Sequence, residues 1–139
     1  MKILLDTNIV LTYLSGREDP YSDACEQIML LLAEGKAEGF IAFHTLSTVW
    51  YVTRKVPDLT RRAYIRSLCT LLTVVGADNS TILASLEKAD FTDFEDALQD
   101  CCAQTAGVDC IITANIKDFE HHSVIPAKTP DAFLTDISL

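Results

Sequence analysis

Apolar runs of strand length alternate with amphipathic helical stretches along the whole chain, and this order limits the fold more than any other feature. Lys2 to Leu5 is apolar and stops at Asp6-Thr7-Asn8, as a buried strand with polar groups at its C-terminal end does. Ile9 to Leu14 resumes at helical spacing and breaks at Ser15-Gly16. A longer helix begins at Asp19-Pro20-Tyr21-Ser22, repeats through Ala24, Ile28, Leu31 and Leu32, and stops near Gly35. Gly39 to Ala42 reads as a second strand. Helices follow over 45–55, ended by Pro57, and over 60–72, which leads into a strand at 73–76. Asn79 to Leu86 is a short helix capped by Asp78 or Asn79. Asp93 to Ala106 is a helix stopped by Gly107. Asp109 to Thr113 is a strand that again ends in polar residues. Ser123 to Ile125 is expected as a last strand before a helix that starts at Thr129-Pro130-Asp131.

Strands joined through helices imply an α/β fold with a mainly parallel sheet. The 139 residues suit one domain, 1–139, and 49% hydrophobic residues suit a packed core. No apolar run is long enough to span a bilayer, so no membrane association is expected. The first residues, MKILLDTNIVLTYL, lack the long uncharged core of a signal peptide. A cytoplasmic location is the expectation. The five cysteines show no metal-ligand spacing and read as small core residues in a reducing compartment.

A net charge of −9 weighs against a passive nucleic-acid-binding module, which is usually basic. It weighs less against an enzyme with an acidic metal site. The acids are concentrated in DFTDFEDALQ, residues 90–99, with Asp100 next and no lysine or arginine until Lys117. Part of this has a structural reading. Thr92 and Glu95 form a capping box, and first-turn carboxylates suit the helix dipole. On an ideal helix, however, Asp93, Asp96 and Asp100 share an arc of roughly 60°, with Glu95 pointing almost the opposite way. Like charges at that spacing repel, and a divalent ion would relieve them. In parallel sheets ligands gather beyond the C-terminal ends of the strands. There the first strand delivers Asp6, and the 109–113 strand delivers Thr113 and Asn115. Oxygen donors alone suit Mg²⁺ or Mn²⁺.

The segments LLDTNIVLTYL, IAFHTLSTVWYVTRK, DFTDFEDALQ, DCIITANIKDF and IPAKTPDAFL, in this order, resemble a bacterial PIN domain, in particular VapC-like members with a DFEDALQ stretch. The resemblance implies a three-layer α/β/α Rossmann-like fold and a Mg²⁺- or Mn²⁺-dependent ribonuclease. It also implies RNA as substrate, a possible antitoxin partner and a homodimer. Carried over by position, Asp6 and Asp96 become metal ligands, with Asn115 and Asp118 in the segment that supplies the last metal-side position. Asp93 and Asp118 would bind through water or orient the nucleophile. Thr7, Asn8 and Thr113 would be supporting donors. Thr48 stands where many members carry a glutamate, and no arginine lies between Thr113 and Asn115. These departures keep open a degenerate module that binds RNA or a protein without cutting.

Five of the eleven basic residues lie between 54 and 66. Arg54, Lys55, Arg61 and Arg62 read either as phosphate contacts near the cleft or as a solvated helix face. Trp50 reads as core or dimer interface, and Tyr51 as a possible stacking platform. His44, His121 and His122 read as surface or edge residues. A purely structural α/β domain with surface acids is the third reading, and the convergence of two strand ends and one helix on carboxylates argues against it.

Overall fold

The structure is a computed structural model that describes every residue except Arg17, Ala89, Asp90, Thr92, His121, His122 and Leu139. The Thr92 capping box and the reading of His121 and His122 therefore lie outside the described residues. The strands are β1 (Lys2–Leu5), β2 (Glu38–Ala42), β3 (Thr73–Val75), β4 (Cys110–Ile112) and β5 (Ala127–Lys128). They form one sheet in the order β3-β2-β1-β4-β5, and every pairing is parallel. Parallel neighbours need crossovers, which the helices supply: α1 (Thr7–Ser15), α2 (Ser22–Ala33), α3 (Phe43–Val52), α4 (Asp58–Leu71), α5 (Asn79–Leu86), α6 (Phe94–Ala106) and α7 (Pro130–Ile137). This is the expected α/β/α architecture with a mainly parallel sheet.

Alternation along β1 sorts the core into two layers. Ile3 and Leu5 face one side with Ile41 and Ile112, against Val10, Ile28, Val49, Leu68 and Phe133 from the helices. Leu4 faces the other side with Phe40 and Ile111, against Cys102 and Ala103 of α6 and Phe119. Because both faces are covered, β1 and β2 are apolar after their exposed first residues, Lys2 and Glu38, and β1 is fully buried from Ile3 to Leu5. Polarity returns only where β1 leaves the sheet. There Asp6 caps α1, accepting from the Thr7 amide, while its own amide donates to the Ile112 carbonyl at 2.9 Å.

Most element limits agree with the sequence to within two or three residues. The last strand is an exception, because it lies at Ala127–Lys128 and not at 123–125. Ser123 is used locally: its hydroxyl donates to the buried Asp100 and receives the Ile125 amide at 3.1 Å. Pairing with β4 starts only where the Pro126 carbonyl accepts from the Ile111 amide at 2.9 Å. Of the two readings of Trp50, core or dimer interface, the core reading does not hold. Trp50 lies 36% exposed, with the Arg61 guanidinium 3.7 Å above its ring.

Phe133 on α7 is fully buried in the same cluster as β1. Phe133→Ala is expected to cost about 3–5 kcal/mol of stability, read as a lower urea midpoint with an unchanged m-value.

Candidate metal centre

Asp6, the pivot of the site, is 3% exposed. Its Oδ1 accepts from the Thr7 amide at 2.8 Å, and its Oδ2 from the Thr113 hydroxyl at 2.8 Å. Both donors follow from topology, since Thr7 continues β1 and Thr113 follows β4, its parallel neighbour. The Thr113 hydroxyl also receives the Asn115 amide at 3.0 Å, which shapes the turn after β4.

Three carboxylates, from Asp6, Glu95 and Asp96, each present an oxygen within 4.8 Å of the others. The presence of Glu95 corrects the helical-wheel expectation. That count began at Asp93, but Asp93 is extended (φ −121°, ψ 120°) and only caps α6, accepting from the Glu95 amide at 2.8 Å. The helix itself starts at Phe94, and its buried sector runs through Ala97, Gln99, Asp100 and Ala103. Glu95 lies one turn before Gln99, so the two share a face and meet α1 and α3 at the sheet edge. Asp100 turns away from the cluster and accepts from Ser123 and from Gln104, the latter at 2.9 Å.

Glu95 is held on one oxygen. Oε1 accepts from the Thr7 hydroxyl at 2.9 Å and from Gln99 Nε2 at 2.9 Å, and lies 3.1 Å from His44 Nε2. His44, expected at the surface, is thus part of the site. Gln99 is fully buried, and its Nε2 also reaches Thr7 Oγ1 at 2.9 Å and Thr45 Oγ1 at 3.0 Å. The two threonine hydroxyls are 2.8 Å apart. Gln99 and Thr45 were invisible as site residues in the sequence, although Gln99 ends the DFEDALQ stretch. A glutamine at a helical position normally reads as solvent-facing.

The remaining candidates surround this core. Asp118 and Asn115 are exposed at the 3₁₀ turn Ile116–Asp118. The Asp118 charge acts on both Asp6 and Asp96. Asn8 is exposed and lines the clefts on either side of α1. Thr48 turns back along α3, with its hydroxyl 3.4 Å from the His44 carbonyl. The basic residues stand at the far end of α3, about 15 Å along the helix from its start beside the acids. They are therefore not beside the cluster. Arg54 lies 4.4 Å over Tyr51, Arg61 stacks on Trp50, Arg62 pairs with Asp58 at 2.7 Å, and Lys55 is exposed.

Burial and like charge act differently on the three acids. Burial, with Glu95 and Asp118 adding to it, pushes Asp6 up to about 6 against the Thr113 and Thr7 hydrogen bonds. Burial, then the charges of Asp6, Asp118, Asp93 and Glu95, pushes Asp96 up to about 7. Burial also acts to raise Glu95, but hydrogen bonds from His44, Gln99 and Thr7 outweigh it and hold the group at about 2. The clamp thus makes Glu95 the fixed anion of the three.

The donor set suits a hard divalent ion. It consists of oxygen donors only, all within 4.8 Å of one another, the donor type that Mg²⁺ and Mn²⁺ take. Among the described residues no other group of three acidic, cysteine or histidine side chains converges in this way.

Residues 2–117 match the sequence pattern of the PIN domain, so the chain belongs to the PIN-domain family. Solved structures agree on the fold. VapBC2 from Rickettsia felis, bound to a DNA fragment from its promoter, aligns with a TM-score of 0.70 at 17% identity, over 93% of this chain and 98% of that one. VapBC-1 from nontypeable Haemophilus influenzae gives 0.68 at 18% identity, over 94% and 99%. Mycobacterium tuberculosis VapC20, a Sarcin-Ricin loop cleaving toxin, gives 0.58 at 18% identity, over 78% and 86%. No curated protein matches the sequence. No helix among the described residues is long and apolar enough to cross a membrane.

Asp6 and Asp96 have folded values above the ordinary 3.8, so their protonated forms favour the native state. That contribution is complete below about pH 4 and is lost as pH rises through about 6 and about 7. Metal-free protein in chelator is therefore expected to lose thermal stability from about pH 4 to pH 7. Asp96→Asn should flatten the decline. An equally steep decline in that variant would contradict the electrostatics described here.

Proposed function

We propose that this chain is a Mg²⁺- or Mn²⁺-dependent endoribonuclease and the toxin of a toxin–antitoxin pair. The observation that carries the reading is the convergence of Asp6, Glu95 and Asp96 at the C-terminal edge of a parallel sheet in a PIN-family chain. Asp6 and Asp96 would hold the ion, with Asn115 nearby on the loop after β4. The ion, when bound, lowers the pKa of a coordinated water and stabilises the phosphoryl oxygens. The chain's own residues do the rest. Thr7 and Thr113 fix the Asp6 carboxylate, so it needs no reorganisation when substrate arrives. Asp118, exposed beside the cluster, is our choice for orienting the attacking water, and Asp93 for a water-mediated contact.

The net charge of −9 makes the bound cation necessary for attracting a polyanion to this edge. Arg54 and Lys55, with the exposed Tyr51, are proposed as backbone and stacking contacts farther along the strand of RNA. Arg61 and Arg62 are weaker candidates, because Trp50 and Asp58 already engage them.

The toxin assignment draws on the likeness to VapBC structures. A cleft of about 450 Å³ lined by Leu11, Leu14, Val52, Val56 and Tyr64 could receive an apolar antitoxin segment. Exposed Leu83, Leu86 and Phe94 are proposed as the homodimer contact. Residues 1–139 are proposed as one PIN domain. A cytoplasmic setting suits the free cysteines.

Purified protein should cleave structured RNA only with Mg²⁺ or Mn²⁺, and Asp6→Asn should lose at least a hundredfold in rate. Metal binding that depends on Asp6, with no cleavage of a transcriptome-wide RNA pool, would favour the non-cutting module. Thr48, standing where many members have a glutamate, is the observation that keeps that reading in play.

A further inference from the structure

We propose that Glu95 supplies the third metal-facing carboxylate and that Gln99 is the positioning residue that fixes it there, through Thr7 and Thr45. This inference rests on the metal-dependent reading above.

The geometry is specific. All three side-chain contacts to Glu95 fall on Oε1, from Thr7, Gln99 and His44, and Oε2 carries none of them. One oxygen is thus tied to the protein while the carboxylate stays within 4.8 Å of its acidic neighbours. Like charge would otherwise drive a flexible glutamate near a helix start out to solvent. The clamp holds it against that repulsion.

Gln99 is at the centre of the clamp. Its amide nitrogen has two hydrogens, yet three oxygens lie at 2.9, 3.0 and 2.9 Å, on Thr7, Thr45 and Glu95. These residues come from α1, α3 and α6, the helices whose N-termini meet at the site. Its carbonyl oxygen, Oε1, is buried without a hydrogen-bond partner. Burying an amide with an unmatched oxygen costs stability that leucine or methionine would not. What the amide nitrogen contacts is Glu95 and the two threonine hydroxyls beside it. Thr48 cannot fill the role, because its hydroxyl faces the His44 carbonyl and it carries no charge.

The test is a Mn²⁺ titration of the full chain, followed by electron paramagnetic resonance, which reads binding without activity. Gln99→Met keeps the volume and removes the donors. It should remain folded and weaken Mn²⁺ binding by about 10- to 100-fold, the range for lost supporting contacts. Cleavage should fall at low Mn²⁺ and return largely at saturating Mn²⁺, since the ligands remain. Glu95→Gln should weaken binding at least as much. If Gln99→Met does not fold, Thr45→Val, which removes one hydroxyl from the clamp, takes its place, with several-fold weakening expected. Parent-like Mn²⁺ affinity in Glu95→Gln, with affinity lost in Asp6→Asn, would overturn the assignment and leave the metal site standing. Parent protein that binds no Mn²⁺, or an Asp6→Asn that binds like the parent, would instead overturn the metal-dependent reading and this inference with it.

Discussion

A carboxylate buried at the end of the central strand is the constraint on which the rest of the site depends. Asp6 is nearly inaccessible, and a lone buried anion is too costly to keep without partners. Two hydrogen bonds compensate in part, one from the amide that starts α1 and one from the hydroxyl that ends β4. Both require β1 and β4 to lie side by side in parallel register. The sheet order that buries Ile3, Leu4 and Leu5 on two faces therefore also builds the donors for Asp6. The remaining cost shows in the upward shift of Asp6 and of its neighbour Asp96. A divalent ion bound among these carboxylates would offset that cost.

Around this pivot the acids divide by environment. Glu95 is made a strong acid by donors from α1, α3 and α6, whereas burial, and then the charges of its acidic neighbours, push Asp96 up. Two carboxylates adjacent in sequence thus differ by several pKa units. If an ion binds here, the proton released would come from Asp6 or Asp96 and not from Glu95. Asp118 and Asp93 remain on the exposed side, where substrate and water can reach them.

Much of this was legible in the sequence. Apolar runs ending in Asp6 and in Thr113 mark the strand ends, and the alternation of strands and helices implies the parallel sheet. The acidic stretch marked the right helix. The sequence did not reveal which face of that helix meets its neighbours. A wheel started at Asp93 assumes helical geometry for a capping residue in an extended conformation, and a wheel of any phase leaves the packing partner undefined. Gln99 and Thr45 were missed because their meaning lies in contacts between residues far apart in the chain. His44 reads as a surface or edge residue from the sequence, and its contact with Glu95 is long-range for the same reason. The last strand was placed early because Ser123 serves Asp100 and the sheet pairing waits for Pro126.

The central claim is that Asp6, Glu95 and Asp96 share one divalent ion. The most direct measurement is a crystal structure of the full chain grown with Mn²⁺, with anomalous diffraction recorded near the manganese edge. One strong anomalous peak is expected among the three carboxylates, bonded to Asp6 and Asp96 and to the Glu95 oxygen that the clamp leaves open. A peak that leaves Glu95 outside the coordination sphere would contradict the three-carboxylate site, and the absence of any peak near Asp6 at saturating Mn²⁺ would contradict the metal centre altogether.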